Sequence, residues 1–202
     1  MESQHYFSAQ PAGPDTRRPL SVVLAGERRE LVTAPGLFSP DGIDKGTAIL
    51  LDHVPPPSGT HLLDIGCGWG PLALSMALAS GDAAVHAIDV NERCLALTTE
   101  NARRLGLDRV VATTPDAVDG DLEFDTIWSN PPIRIGKQEL HALLLRWVPR
   151  LAPDGRAWLV VQKNLGADSL QRWLGETLPG QFTVRRAHTA KSFRVLEIHR
   201  AP

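Results

Sequence analysis

The sequence predicts an α/β protein built on a doubly wound, mainly parallel seven-stranded sheet with an antiparallel last strand. Three observations predict it. Short apolar runs alternate with helical stretches of about 10 to 15 residues over most of the 202-residue chain, the pattern of successive βαβ units. A glycine-rich turn, GCGWG, directly follows the first run of the regular part. The last two apolar runs, FTVRRAHT and SFRVLEIH, follow one another with no helix between them and so read as an antiparallel pair.

The elements follow in order. Residues 1–43 are rich in Pro, Gly and Arg, and their short apolar pieces LSVVLAG and RELVT form a hairpin in an N-terminal lead-in. Residues 44–202 form the main domain. DKGTAILLDHV is a helix that stops before Pro55, Pro56 and Pro57, because each proline removes a donor and restricts the residue before it. THLLDI is a strand, and PLALSMALAS is an apolar helix whose opening Pro71 suits a first helical turn. VHAIDV is the next strand. The helix ERCLALTTENARRLGL has Asn91 as its cap, Leu95, Ala102 and Leu105 on one face, and Gly106 as its stop. RVVATT and FDTIWSN are strands, QELHALLLRWVPRL is a helix ending near Pro149, PDG is a turn, RAWLVVQ is a strand and ADSLQRWLGETL is a helix.

Composition narrows the function classes. With 43% hydrophobic residues the chain is long enough to bury a full core. There is no run of 18 apolar residues, and MESQHYFSAQ has neither the basic start nor the apolar stretch of a signal peptide, so the expectation is a cytoplasmic protein without a membrane partner, monomeric by preference. Cys67 and Cys94 lack CxxC spacing and the seven histidines lack ligand spacing, so no metal is expected. A net charge of −2 gives no global footprint for nucleic acid, so such a substrate would have to be held locally. Candidate patches are Arg17 with Arg18, Arg28 with Arg29, Arg103 with Arg104, and the tail group Arg185, Arg186, Lys191, Arg194 and Arg200; such a patch is more often simply a solvated face.

In sheets of this kind, ligands collect beyond the carboxyl ends of the strands, where strand order reverses. There the chain has Asp64, Gly66, Gly68 and Gly70, and Asp89 ends the next strand, 89 − 66 = 23 residues past the first glycine. That is close to the roughly 20 at which an acid meets ribose hydroxyls. The nicotinamide fingerprint GxGxxG differs: here the third glycine comes one residue early and an acid stands two residues before the first. A carboxylate would repel a pyrophosphate, whereas S-adenosyl-L-methionine has no phosphate and carries an ammonium and a sulfonium that Asp64 or Asp44 would favour. Asp116, in TTPDAV, is either a partner of the adenine amino group or an ordinary turn aspartate. Phe38, Asp44 and Thr47 either cover the methionine end or serve helix entry and packing.

The strand FDTIWSN ends on Asn130 followed by Pro131 and Pro132, a stiff corner that holds one amide and the neighbouring carbonyl in place. An amine conjugated to a flat ring is a poor nucleophile because its lone pair is delocalised. If the Asn130 oxygen and the Pro131 carbonyl accept its two protons, the nitrogen can pyramidalise toward an electrophilic methyl, and much of the acceleration comes from positioning. Arg134 and Lys137 follow directly, as contacts for substrate phosphates or as solvated loop charges.

With both ends in view, the chain resembles the class I S-adenosylmethionine-dependent methyltransferases, and among them the methyltransferase small domain family that includes small-subunit ribosomal RNA guanine-N2 methyltransferases. The likeness runs from GLFSPDGIDKGTAILL through LLDIGCGWGPLAL and AIDVNERCLALTTENARRLGL to SNPPIRIGK, VVQKNLGADSL and KSFRVLEI. It implies methylation of an exocyclic guanine amine in RNA, with the base in a loop or flipped out. NPP also recurs in adenine-N6 and glutamine-N5 methyltransferases, so a protein amide or a small molecule remains an alternative acceptor, and a nucleotide-binding, dehydrogenase-like module is the alternative from another class. The sequence departs from the family at Ile133, where many relatives place an aromatic that stacks on the target ring; stacking would fall to Phe38, Trp69, Trp128 or Phe193. The two-domain ribosomal enzymes also have a further amino-terminal half that this sequence does not show.

Overall fold

The computed structural model describes residues 15–202; the first part of the lead-in, with His5, lies outside them. A hairpin of β1 (Arg18–Leu24) and β2 (Glu27–Thr33) comes first, turning on Ala25 and Gly26, both at positive φ. The main unit contains α1 (Lys45–His53), β3 (His61–Ile65), α2 (Pro71–Ser80), β4 (Ala84–Ile88), α3 (Glu92–Arg104), β5 (Val110–Thr113), β6 (Phe124–Ser129), α4 (Lys137–Trp147), β7 (Leu151–Gln162), α5 (Ala167–Thr177), β8 (Phe182–Ala190) and β9 (Phe193–Arg200). The sheet order is β5-β4-β3-β6-β7-β9-β8. Strands β3 to β7 are parallel to their sheet neighbours among them, and β9 lies antiparallel between β7 and β8. The predicted fold is therefore the observed one, including its single reversed strand.

Alternation along β3 shows how the two faces are built. Leu62 joins a core with Leu50, Leu72, Met76, Trp128 and Trp158, while Leu63 and Ile65 join one with Ile127, Leu144, Trp147, Leu170 and Leu174 on the opposite face. The hairpin buries Leu20, Val22, Leu24 and Leu31 in a third cluster with Trp69, Leu74 and Leu97. Asn101 of α3 fastens it there: its Oδ1 accepts from Val32 N at 2.9 Å, and its Nδ2 donates to Val32 O at 3.0 Å and to Trp69 O at 2.9 Å.

Two local expectations are corrected. PDG does not separate a helix from a later strand: β7 already starts at Leu151, opposite Phe124, and residues 152–155 form an irregular stretch before Arg156 pairs with Thr126, with Asp154 at φ +64°. The buried face of α3 is Cys94, Leu97, Thr98, Asn101 and Ala102, with Leu95 and Leu105 only half-buried, because the hairpin covers a face rotated from the one the leucines mark.

Candidate active site

The site is built where β3 and β6 lie side by side, with Asp64 in register with Trp128 and Ile65 with Ser129. Both strands end at this edge and hand over to the two segments the sequence singled out. Ser129 Oγ donates to Ile65 O at 2.8 Å and locks the two ends together.

The glycine turn is shaped from both sides. Gly66, Gly68 and Gly70 have φ of +79°, +59° and +100°, which an L side chain rarely adopts. The N–H groups of Gly66 and Cys67 both donate to Ile88 O, at 2.9 and 3.0 Å, which ties the turn to the end of β4. A Cβ at Gly70 would meet Thr98, whereas one at Gly68 would meet nothing within 4 Å. Gly68 thus presents bare backbone to open space, as close approach by a ligand requires.

Asp64 explains the acid ahead of the glycines. The residue capping α2 is Gly70, which has no side chain to bond the first-turn donors, and Asp64 Oδ2 accepts from Ala73 N at 3.0 Å instead. Asp64 is 0% exposed, its Oδ1 has no hydrogen-bond partner among the described residues, and burial raises its pKa to about 8, the Ala73 bond opposing and the Asp89 charge adding.

Asp89 stands at the mouth of the turn, its Oδ2 accepting from Gly68 N at 3.1 Å and its Oδ1 from Asn91 N at 2.9 Å. Burial raises its pKa, and the bonds from Asn91 and Gly68 oppose that. Beside it Val90 is an exposed apolar residue, as is Phe38 at 57% exposure. Sequence reasoning missed Val90; its signal is an apolar residue directly after the acid that ends a buried strand. Asp116 is exposed in a short turn after β5, where it pairs with Arg146 at 2.9 Å.

At the other end, Asn130 Nδ2 donates to Asp44 Oδ2 at 2.9 Å and to Thr47 Oγ1 at 3.1 Å. A carboxylate cannot donate, so the amide nitrogen must face it, and Asn130 Oδ1 is turned the other way with no donor among the described residues. Asp44 Oδ2 also caps α1, accepting from Gly46 N at 2.7 Å and Thr47 N at 3.3 Å. Pro132, at φ −73° and ψ 77°, makes an inverse γ-turn in which Ile133 N donates to Pro131 O at 2.8 Å. The turn fixes the direction of that carbonyl while leaving it a second lone pair. Glycine loop and proline corner adjoin: a Cβ at Gly66 would lie 4.0 Å from Pro132 Cδ.

Of the four aromatics expected to offer a stacking surface, Trp69 and Trp128 are core residues at 1% and 4% exposure, and Trp69 Nε1 donates to Ser39 O. Their bulk is spent on packing, which leaves Phe38 and the half-buried Phe193, whose Cε1 would lie 3.1 Å from a Cβ at Gly46, beside Asn130. Ile133 packs against the core. The side chain of Arg134 lies outside those described. Several of the expected basic patches are occupied within the chain: Arg17 and Arg104 pair with Glu100, Arg18 with Asp41, Arg186 with Asp168 and Arg185 with Glu197. Lys137, Lys163 and Lys191 have no acid partner among the described residues, and all three sit at the carboxyl edge of the sheet, where Lys163 N donates to Ser192 O. Lys163 was not singled out by sequence; its signal is its place one residue past β7, beside β6, which leads into Asn130.

Burial pushes the thiols of Cys67 and Cys94 well above the ordinary range, so neither is a nucleophile. Among the described residues, no three His, Cys, Asp or Glu side chains gather as a metal would require, and no helix is long and apolar enough to cross a membrane.

A sheet of this order, a bare glycine turn with an acid beyond the next strand, and an Asn-Pro-Pro corner one strand away define an S-adenosylmethionine-dependent methyltransferase. The chain belongs to the methyltransferase small domain family, whose description matches residues 28–197. It is 36% identical over 171 residues to the uncharacterized protein YbxB of Bacillus subtilis (strain 168), covering 83% of this chain and 85% of that one. It is 33% identical over 174 residues to the ribosomal RNA small subunit methyltransferase C of Pseudomonas aeruginosa (strain LESB58), covering 82% of this chain and 52% of the relative. The chain therefore spans about half the length of that enzyme. Among solved structures it is similar in fold to the T. thermophilus 16S rRNA N2 methyltransferase RsmC in complex with AdoMet and guanosine, with a TM-score of 0.78, 24% identity, and coverage of 94% of this chain and 52% of that one.

Proposed function

We propose that this enzyme methylates the exocyclic N2 amine of a guanine in ribosomal RNA, with residues 44–202 as the methyltransferase domain and the β1–β2 hairpin packed on it. The observation that carries the reading is the orientation of Asn130: both protons of its amide are committed to Asp44 and Thr47, so the side chain presents an acceptor, and only an acceptor, beside the cofactor turn. An acceptor suits an amino group that must shed proton density before its nitrogen can attack. The relatives named as ribosomal RNA small subunit methyltransferase C support RNA as the acceptor class.

The residues present fit S-adenosylmethionine. Gly68 offers backbone with open space where its Cβ would be, Asp89 retains lone pairs for ribose hydroxyls, Val90 is an exposed apolar residue next to Asp89, and the exposed Phe38 precedes Ser39, whose carbonyl accepts from Trp69 Nε1 of the glycine turn. The methionine end falls to the segment Phe38–Thr47, where Asp44 Oδ1 has no donor among the described residues. Asp116 stands past β5 for the adenine amino group. The cofactor supplies an electrophilic methyl on a sulfonium, and the protein holds the amine against it. Asn130 Oδ1 and the free lone pair of Pro131 O accept the two amine protons and strengthen their hold as positive charge develops on nitrogen. Phe193 offers its ring to the base, Ile133 gives an apolar edge, and Lys137 and Lys163 stand at the carboxyl edge of the sheet for the RNA phosphates, a role Arg134 shares by its place in the sequence.

The test is incubation of ribosomal small subunits, naked ribosomal RNA and total cell protein with methyl-labelled S-adenosylmethionine, followed by nucleoside and amino-acid analysis. Label in N2-methylguanosine supports the reading. Label in a protein amide or only in small molecules overturns it, and a turnover that does not respond to salt would point the same way, since phosphate contacts make RNA binding strongly salt-dependent. Asn130→Ala should lower turnover by about a hundredfold or more while cofactor affinity stays near normal.

A further inference from the structure

Asp44 and Thr47 lie 86 and 83 residues before Asn130 in sequence, yet they take both of its amide protons. An amide that donates to an anion shifts toward its charge-separated resonance form, with more double bond between carbon and nitrogen and more negative charge on oxygen. Hydrogen bonds in a chain polarise one another in this way, by on the order of 10–30% per bond. Here the chain would run from the substrate amine to Asn130 Oδ1, through the amide to Nδ2, and on to the Asp44 carboxylate. The far end is rigid, because the same carboxylate oxygen accepts from Gly46 N and Thr47 N at the start of α1. Gly46 allows the approach: its φ is not positive, and what requires glycine is space, since a Cβ there would stand 3.0 Å from Asp44 Oδ2 and 3.3 Å from Asn130 Nδ2.

We infer that Asp44 and Thr47 are positioning residues that act through Asn130, holding its amide in one orientation and polarising its carbonyl toward the amine that is methylated. Thr47 supplies a neutral acceptor that settles the rotation. Asp44 supplies the charge that builds density on Oδ1 as the amine nitrogen becomes cationic. The inference rests on the role of Asn130 proposed above and assigns the residues that make that role possible.

The test is a double-mutant cycle with a spectroscopic arm that needs no substrate. Asp44→Asn keeps an oxygen for the helix cap and for Asn130 but removes the charge, and Thr47→Val keeps the shape but removes the acceptor. In 15N-labelled protein, the side-chain amide signals that vanish in Asn130→Ala should be shifted and protected from hydrogen exchange. Asp44→Asn should move them toward ordinary asparagine values, and Thr47→Val should raise their exchange rate about tenfold or more. With labelled S-adenosylmethionine at saturation and small-subunit RNA as acceptor, each substitution should lower kcat about tenfold, and neither should lower it further in the Asn130→Ala background. Unshifted Asn130 signals in Asp44→Asn, or effects on kcat that multiply with that of Asn130→Ala, would overturn the inference. Unimpaired turnover of Asn130→Ala would instead overturn the proposed function, so the two failures are distinct.

Discussion

Asp64 Oδ2 accepts the backbone N–H of Ala73 at 3.0 Å, across a turn that contains three glycines and no polar side chain able to cap α2. The acid of the glycine motif is thus first a helix cap borrowed from a strand. Its cost is a buried carboxyl whose pKa is raised to about 8. Because the folded state prefers the neutral acid, the stability it contributes is whole below the unfolded pKa of about 4 and is lost as pH rises through about 8. Thermal melts of the cofactor-free protein should therefore show a melting temperature that falls over that interval, and Asp64→Asn, which keeps an oxygen for Ala73, should flatten the fall. A wild-type curve with no slope there, or an unchanged slope in the variant, would contradict the assignment.

Asp89 joins the glycine turn to the start of α3, and both of its oxygens already hold backbone donors. Asp89→Ala should weaken S-adenosylmethionine binding about tenfold or more, from the loss of charge-assisted bonds. Calorimetric titration checks this, and an unaltered Kd would remove Asp89 from the cofactor site.

Gly46→Ala should disturb turnover more than binding. The added methyl meets Asp44, Phe193 and Asn130 at 3.0 to 3.3 Å, so at least one of them must give way by a few tenths of an ångström. Displacement on that scale at the residue proposed to orient the reacting amine should lower kcat about tenfold, with cofactor Kd unchanged. A variant with wild-type kcat would show that the wall yields without moving Asn130.

Among the described residues, Phe193 lies beside Gly46 and Asn130, and Phe38 is an exposed ring in the segment before α1. Phe193→Ala should raise KM for the proposed RNA acceptor about tenfold, within the range of one base–aromatic stack, and Phe193→Trp should restore it. If Phe38→Ala carries that effect instead, Phe38 and not Phe193 is the stacking ring.

Asn101→Ala should destabilise the chain by about 3 kcal/mol, because it strands the buried N–H and C=O of Val32 and the C=O of Trp69. The expected drop in melting temperature is roughly 6 to 12 °C. A change within experimental scatter would mean that apolar contact alone holds the hairpin.

The sequence by itself determined the elements and their order, because period, caps and breakers are local properties. Asn91 before α3, Pro71 opening α2 and Gly106 at φ +67° after α3 act on neighbours a few residues away. The glycine turn and the Asn-Pro-Pro corner were legible for the same reason: each is a short segment whose backbone demands are written in its own residues. What only the tertiary structure decided is which side chains share a space. No local pattern tells that Trp69 and Trp128 are core while Phe193 borders the site, that Asn101 fastens the hairpin, or that Asp44 and Thr47 meet Asn130. Those relations arise when β3 and β6 come to lie side by side, which brings α1 and the proline corner to one edge of the sheet. Burial and hydrogen-bond partnership belong to that assembled packing, and nothing within a few residues along the chain encodes them.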